Sequence, residues 1–328
     1  MQSLDAQLAV VVSEGSLLPL PGSGNTPRRH QALSEWGARD LSFARLAEAH
    51  TDALAIFAEC GQAPRAGALY GVWASDAPPS RVTCERVQNG DWWIDGIKPF
   101  CSGAELLDAA LVTAHHADGV FLFDIPLKSH GVTPQPSTWV SPAFADTSTT
   151  AVKFDGVVVA DCARLGDAGW YLDRPGFWHG AIGPAACWAG GAESLIDAAV
   201  AANRRDPHSR AHQGALEAIA WGLRAILDQA GREIDADPGD QSGRARTRAL
   251  KLRHLIERAC AEVLDRFARA TGPHLLAHDA RVIRHHQALT LYIRQCHGER
   301  DLAAIPADPD FPRASAPMST ETLLIDDR

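Results

Sequence analysis

Asp91-Trp92-Trp93-Ile94-Asp95-Gly96-Ile97-Lys98-Pro99-Phe100-Cys101-Ser102-Gly103-Ala104 is the stretch on which the fold of this chain turns. It reads as a strand, a turn centred on Gly96, a second short strand and a loop of small residues. It then runs on into the apolar strand Ala109-Ala110-Leu111-Val112-Thr113-Ala114. Turn residues between β-branched and aromatic runs are hairpin grammar. Taken alone, the segment fits any antiparallel sheet; the elements around it narrow the choice.

Outward from this stretch the β-rich text continues in both directions. Short runs at 69–74, 82–88, 92–94, 111–114, 120–124 and 150–159 alternate with turns at Asn89-Gly90, Asp118-Gly119 and Asp155-Gly156. Asn-Gly between apolar runs is a strong hairpin signal, and strands so short and closely spaced predict a small antiparallel barrel or sandwich. Before this block, residues 1–66 read as helical with one break, because Pro19-Leu20-Pro21-Gly22-Ser23-Gly24-Asn25-Thr26-Pro27 cannot continue a helix. A helix over 33–60 carries Leu41, Ala44, Leu46, Ala49, Ala53, Ile56 and Phe57 on one face.

After the block the text is Ala-, Leu-, Arg- and Glu-rich. Helices are predicted over 184–203, 209–234, 242–270 and 278–302, broken at Asp206-Pro207, Asp237-Pro238-Gly239 and Gly272-Pro273. Leu252, Ile256, Ala259, Val263 and Phe267 make one apolar stripe, and four long helices joined by short turns predict a four-helix bundle. The fold class is therefore multidomain α+β, mainly α: an N-terminal helical segment (1–66), a β-domain (67–165), a C-terminal bundle (166–304) and a proline-rich tail (305–328) expected to be mobile.

Composition sets outer bounds. The 328 residues are 46% hydrophobic and 22% charged, which is ordinary for packed globular units and excludes disorder over most of the length. A net charge of -9 argues against a nucleic-acid partner, and the basic run 244–258 has the spacing of one solvated helix face. Seven scattered cysteines without a Cys-x-x-Cys pair suit reduced thiols in the cytoplasm. No apolar run reaches the ~18 residues a membrane span needs, and acidic Asp5 before the apolar run 8–12 does not suit a signal peptide. Nothing among the 14 histidines, His285-His286 included, has metal-ligand spacing, so no metal is expected.

Helical segment, small β-domain and helical bundle, in that order, with Gly96-Ile97-Lys98, Phe100 and Ser102 in the β-domain, resemble the acyl-CoA dehydrogenase family. The resemblance covers roughly residues 35–303 and extends to Arg174-Pro175-Gly176-Phe177-Trp178-His179-Gly180 and to the small residues at 185–192. It implies an FAD cofactor. Phe100 would pack on the isoalloxazine and Ser102 would hydrogen-bond it near N5, with Cys101 and Gly103 in the same loop; Trp73, a departure from the family, would stack where a smaller residue usually contacts the flavin. Arg205, or Arg204, and the turn at Gly272 would hold the pyrophosphate of a neighbouring subunit's FAD, which implies a homodimer or homotetramer. An arginine fork suits a pyrophosphate because it donates parallel charge-assisted bonds.

The departures bear on chemistry. The chain is shorter than is usual for the family, mostly at the front of the helical domain, and Tyr70-Gly71-Val72-Trp73-Ala74-Ser75-Asp76 replaces the family's first β-signature. The family's catalytic Glu falls on Ile293, after Tyr292, and isoleucine cannot take a proton. The second family position for a base falls near His179. Arg45, Glu48 and Asp52, at i, i+3 and i+7, share one face of the N-terminal helix with His50 turned away. The candidate catalytic residues are thus His179, Glu48 and Asp52, set against a hydrogen-bonded corner residue for the first and exposed helix salt bridges among Arg45, Glu48 and Asp52 for the others.

Three functions fit. The first is FAD-dependent α,β-desaturation of an acyl-CoA or related acyl group with a relocated base, passing electrons to an unspecified acceptor. The others are a flavin monooxygenase of the same fold and a non-catalytic scaffold.

Overall fold

The computed structural model describes residues 3–14, 18–77, 79–202 and 205–305. Arg204 and the tail from 306 on lie outside the described residues, so the expectations placed on them have no structural counterpart here.

Three helices open the chain: Leu4–Glu14 (α1), Thr26–Arg39 (α2) and Leu41–Cys60 (α3). The single helix expected over 33–60 is in fact two, broken at Asp40, whose backbone is extended at φ -163. The cause is local capping. The Asp40 carboxylate accepts hydrogen bonds from the amides of Ser42, 2.8 Å, and Phe43, 3.0 Å, and so starts a new helix.

Eight strands follow: Tyr70–Trp73 (β1), Val82–Arg86 (β2), Trp92–Cys101 (β3), Ala109–His116 (β4), Gly119–Pro126 (β5), Val132–Pro134 (β6), Thr150–Val159 (β7) and Arg164–Leu165 (β8). They pair in the order β6-β7-β3-β2-β4-β5-β8, with β1 also on β4. The sheet is mixed, which corrects the antiparallel expectation: β1 runs parallel to β4 from Tyr70↔Ala109 to Trp73↔Val112, and β2 meets β4 in parallel at Thr83↔His115. Among the described residues, the end strands β6 and β8 do not pair with each other.

The quoted stretch is one strand, not a hairpin. Gly96 and Asp155-Gly156, read as turns, sit in β3 and β7 at an irregularity where Ile94↔Val157 is followed by Gly96↔Phe154. Gly96 takes φ 123, and a Cβ there would strike the Arg81 carbonyl. A second irregularity, between Lys98 and Cys101, leaves Pro99 and Phe100 out of the ladder. This frees the Phe100 side chain from the sheet.

The second half contains Trp170–Asp173 (α4), Pro175–Gly180 (α5), Gly183–Ala201 (α6), Pro207–Ala236 (α7), Ala245–Thr271 (α8), Pro273–His278 (α9), Ala280–Tyr292 (α10) and Glu299–Ala303 (α11). The helix expected over 278–302 therefore ends at Tyr292, gives way to a 3-10 turn at Ile293–Gln295 and resumes after Gly298, which has φ 53. Helices α6, α7 and α8 pack on one another, and α2 packs mainly on α6 and α7. One core joins Leu33, Leu41 and Ala44 of the N-terminal helices to Trp188, Leu223, Ile256, Phe267 and Tyr292. A second fills the sheet with Trp92, Phe123 and Phe154 and reaches Phe43 and Leu46 of α3. Helix α3 thus touches both cores and fixes the sheet against the helices. No helix among the described residues is long and apolar enough to cross a membrane.

The small residues of α6 permit this packing. A Cβ on Gly190 would strike the Ser34 carbonyl oxygen of α2, and one on Gly37 the Cys187 carbonyl oxygen of α6. Gly190→Ala is therefore expected to destabilise the fold by about 1–3 kcal/mol, because backbone faces backbone and neither side can yield. A lower denaturant midpoint with unchanged slope checks it.

Candidate functional site

Trp73 from β1, Phe100 and Ser102 from the end of β3, and Arg45 and Glu48 from α3 converge on one cavity of about 550 Å³, which Pro184, Leu291 and Tyr292 also line. That volume lies within the ~300–1,000 Å³ usual for small-molecule and cofactor sites. Phe100 is 62% exposed and holds φ 57, a conformation that costs an aromatic residue energy. Two more of the four non-glycine residues with positive φ among the described residues are Phe144, φ 60, and Ser148, φ 45, on the loop beside the same cavity. Backbone strain collected at one place is the mark of a functional site.

Ser102 is held from three directions. Its Oγ accepts hydrogen bonds from Arg45 Nε, 3.0 Å, and Thr149 Oγ1, 3.1 Å, and its carbonyl accepts one from Trp73 Nε1, 3.1 Å. These contacts hold Oγ at a fixed position on the cavity wall. The Arg45 guanidinium is stacked on the rings of Phe144, 5.3 Å, and Tyr292, 5.4 Å. With the Gln295 amide turned so that its oxygen faces Arg45, that oxygen accepts from Nη1 at 2.7 Å and Nη2 at 3.2 Å. Arg45 is therefore not a surface ion-pair residue.

Glu48 has the distinctive electrostatics. It is 7% exposed, and among the described residues its carboxyl accepts no hydrogen bond and forms no salt bridge. Burial, and secondarily the charge of Asp52, push its pKa up to about 8, against the opposing pull of Arg29, Arg253 and Arg45. Its Oε1 rests where a side chain on Gly183 would stand. Asp76, the other carboxylate lining the cavity, is instead committed to Lys98 Nζ, 2.8 Å, and His115 Nε2, 2.7 Å. Hydrogen bonds to Lys98 and His115 overcome the effect of its partial burial and hold the Asp76 pKa low.

The remaining expected site residues lie elsewhere. Cys101 is fully buried and its thiol donates back to the Lys98 carbonyl, 3.3 Å. Gly103, φ 78, serves the backbone: its amide donates to the Thr147 carbonyl, 2.8 Å, and a Cβ there would strike Leu107. Asp52 sits one helical turn beyond Glu48 and does not line the cavity. His179 belongs to a separate pocket of about 270 Å³ with Glu59, Arg174 and Pro238. Arg205 is exposed ahead of α7, and Gly272 terminates α8 at φ 67. Neither lies near Phe100 and Ser102 among the residues lining the cavity.

No protein-family model matches the sequence, and no curated protein matches it. Solved structures match its shape. The complex of TdsC from Paenibacillus sp. A11-2 with FMN and indole superposes with a TM-score of 0.76 at 19% identity, over 92% of this chain and 87% of that one. Methanesulfinate monooxygenase MsuC from Pseudomonas fluorescens gives 0.75 at 19% identity, over 92% and 87%. KijD3, in complex with FMN and an amino-keto-deoxysugar nucleotide, gives 0.73 at 17% identity, over 93% and 88%. This chain has the acyl-CoA dehydrogenase fold.

Within the acyl-CoA dehydrogenase fold, the position that the sequence aligns with the family's base is Ile293, which is fully buried in the helical core. The basic run 244–258 is not wholly a solvated face either. Arg253 lies 4.8 Å over the Trp188 ring and donates to the carbonyls of Ala181, 2.7 Å, and Gln295, 3.0 Å. It thereby ties α8 to the 3-10 turn that carries Ile293 and Gln295.

Proposed function

We propose that the protein is a flavin-dependent oxidoreductase with the flavin ring in the 550 Å³ cavity. The residues there suit such a ring. Phe100 offers an exposed aromatic face, Trp73 part of a wall, and Ser102 a hydroxyl of fixed position for the ring edge. A bound flavin supplies the electron-accepting and electron-donating chemistry. FMN is favoured over the FAD implied by the sequence, because the compared TdsC and KijD3 complexes hold FMN.

Glu48 carries the reading further. A carboxyl whose pKa is about 8 is protonated at neutral pH and acts first as a proton donor. Abstraction of an α-proton, which desaturation requires, needs the ionised form. Insertion of oxygen into a small substrate needs no such base and is the first reading, with Trp73, Trp139, Leu107 and Leu291 giving apolar surface beside the charged Arg45, Asp76 and Arg294 of the cavity walls. The monooxygenase names of TdsC and MsuC support it by analogy. Desaturation of an acyl thioester is the second reading, and one observation favours it: Glu48 is the unpaired carboxyl of the cavity and could replace the base missing at Ile293.

Two mixing experiments separate these readings. Flavin-loaded protein exposed anaerobically to a panel of acyl-CoAs would lose its oxidised absorbance if desaturation is the activity. Protein given reduced flavin, labelled oxygen gas and small aromatic or organosulfur compounds should place the label in product if oxygen insertion is. Ser102→Ala is expected to keep the flavin but shift its potential by the worth of one neutral hydrogen bond, about 0.5–1.5 kcal/mol. Redox titration checks this, and an unchanged potential would place the ring away from Ser102.

A further inference from the structure

Glu48, Asp52 and Glu59 occupy i, i+4 and i+11 of α3. At 1.5 Å per residue and 100° per step they form a line of carboxyls about 16 Å long on one side of the helix. Glu48 lines the 550 Å³ cavity and Glu59 the 270 Å³ pocket, which share no lining residue. Asp52 stands between them. Room for the first two carboxyls is left by glycines, since side chains on Gly183 and Gly180 would collide with Glu48 Oε1 and Asp52 Oδ1.

Around the Asp52 end, three buried polar atoms lack partners: Asp52 Oδ1, Arg174 Nε and His179 Nδ1. Arg174 and His179 are only 5% and 3% exposed, and both line the second pocket. His179 Nε2 donates to the Pro238 carbonyl, 3.0 Å, so Nδ1 carries no proton and is an acceptor. Arg174 Nη1 is bound to Glu59 Oε2, which leaves its Nε as a spare donor. One donor and two acceptors, buried and unsatisfied beside a pocket that also carries the Glu59 carboxylate, are the setting in which internal water is retained.

We propose that this line is a proton path, in which the proton handled by Glu48 passes to Asp52 and then, through water held by Arg174 and His179, to Glu59 and solvent at the second pocket. No direct hydrogen bond joins Glu48 and Asp52, so the Glu48 carboxyl gives its proton to a bridging water, which gives one to the Asp52 carboxylate; Asp52 releases it to water and on to Glu59. Reloading runs the same way in reverse. No electrons move and no co-reactant is needed. Such a route lets Glu48 exchange its proton while substrate and flavin fill the cavity on its other side. The path rests on the proton-handling role proposed for Glu48, but its test reads the carboxyl itself rather than turnover.

The full-length protein, loaded with flavin so that the cavity side of Glu48 is filled, is transferred rapidly from H2O to D2O at mildly acid pH while the carboxyl stretching band in the infrared is followed. The Glu48 band is assigned by its loss in Glu48→Gln. Its H-to-D shift should slow by about tenfold or more in Asp52→Asn, His179→Phe and Glu59→Gln, with the last two serving as controls should Asp52→Asn perturb the fold. Wild-type exchange rates in all three overturn the path. Slowing in Asp52→Asn alone overturns the exit at the second pocket. Absence of any Glu48 band overturns the protonated Glu48 as well, so failure of the path and failure of the functional reading give different results.

Discussion

Glu48→Gln is expected to leave flavin binding intact and to slow substrate turnover by about 10²–10⁴, the usual worth of a placed proton donor or acceptor. Glutamine keeps the shape of the side chain in its space beside Gly183 but cannot exchange a proton. The same substitution has a stability signature of definite sign. Burial first, and Asp52 second, raise the folded-state pKa of Glu48 from 4.5 to about 8. A group raised in this way contributes stability that is fully present below its unfolded value and is lost as pH climbs through the folded one. Wild type should therefore lose stability relative to Glu48→Gln between about pH 4.5 and pH 8. Denaturant midpoints measured across that window check it, and a constant difference between the two proteins would mean that Glu48 is not buried as a neutral acid. Ionisation at higher pH places a charge among Arg29, Arg45, Asp52, Tyr171, Cys187, Arg253 and Tyr292, which face it from α2, α3, α4, α6, α8 and α10.

Asp40→Ala has the largest expected effect on stability, a loss of about 3–4 kcal/mol from a lost helix cap and a broken ion pair. Asp40 is 3% exposed. Its carboxylate starts α3 through the Ser42 and Phe43 amides and also accepts from Arg284 Nε and Nη2 of α10, at 3.0 and 3.1 Å. One side chain thus sets both the break between α2 and α3 and the docking of α10 on α3. Burial by itself would raise the Asp40 pKa, but the bonds from Arg284 and the two amides prevail and hold it below the ordinary value of 3.8. The sign is opposite to that of Glu48. Stability from Asp40 is present above the unfolded pKa and is lost as pH falls through the folded one. Acid unfolding should thus take more stability from wild type than from Asp40→Ala, and thermal melts taken at neutral pH and below pH 4 test both the size and the sign.

Much of the site could be read before the structure because its parts are local. The text from Gly96 to Gly103 placed Phe100 and Ser102, and the spacing of Arg45, Glu48 and Asp52 placed the three on one helix face. Spacing alone could not show that this face is buried. That required the Gly180 and Gly183 junction of α5 and α6, more than a hundred residues on. Thr149, Phe144, Tyr292 and Gln295 were missed for the same reason, since each reaches Arg45 or Ser102 only through tertiary packing.

The errors in the elements also have physical causes. Hairpin signals report neighbours in sequence, so the parallel pairing of β1 with β4 carries no local mark. Gly96 and Gly156 have turn-like conformations but serve as irregularities within long strands, where β3 bends. A single Asp between good helix formers hid the cap at Asp40. His179 illustrates the opposite case: its place in the chain suggested a base, yet the structure puts it in the second pocket, with Nε2 engaged by Pro238.

The most direct test of the central claim is an equilibrium titration of the purified protein with FMN and FAD, oxidised and anaerobically reduced, following flavin absorbance and fluorescence. Saturable binding is expected, with FMN sufficient, a perturbed ring spectrum, and marked weakening by Phe100→Asp, which places a charge against the ring. Failure of either flavin to bind in either redox state, or binding that is indifferent to Phe100→Asp, would contradict the assignment of this cavity.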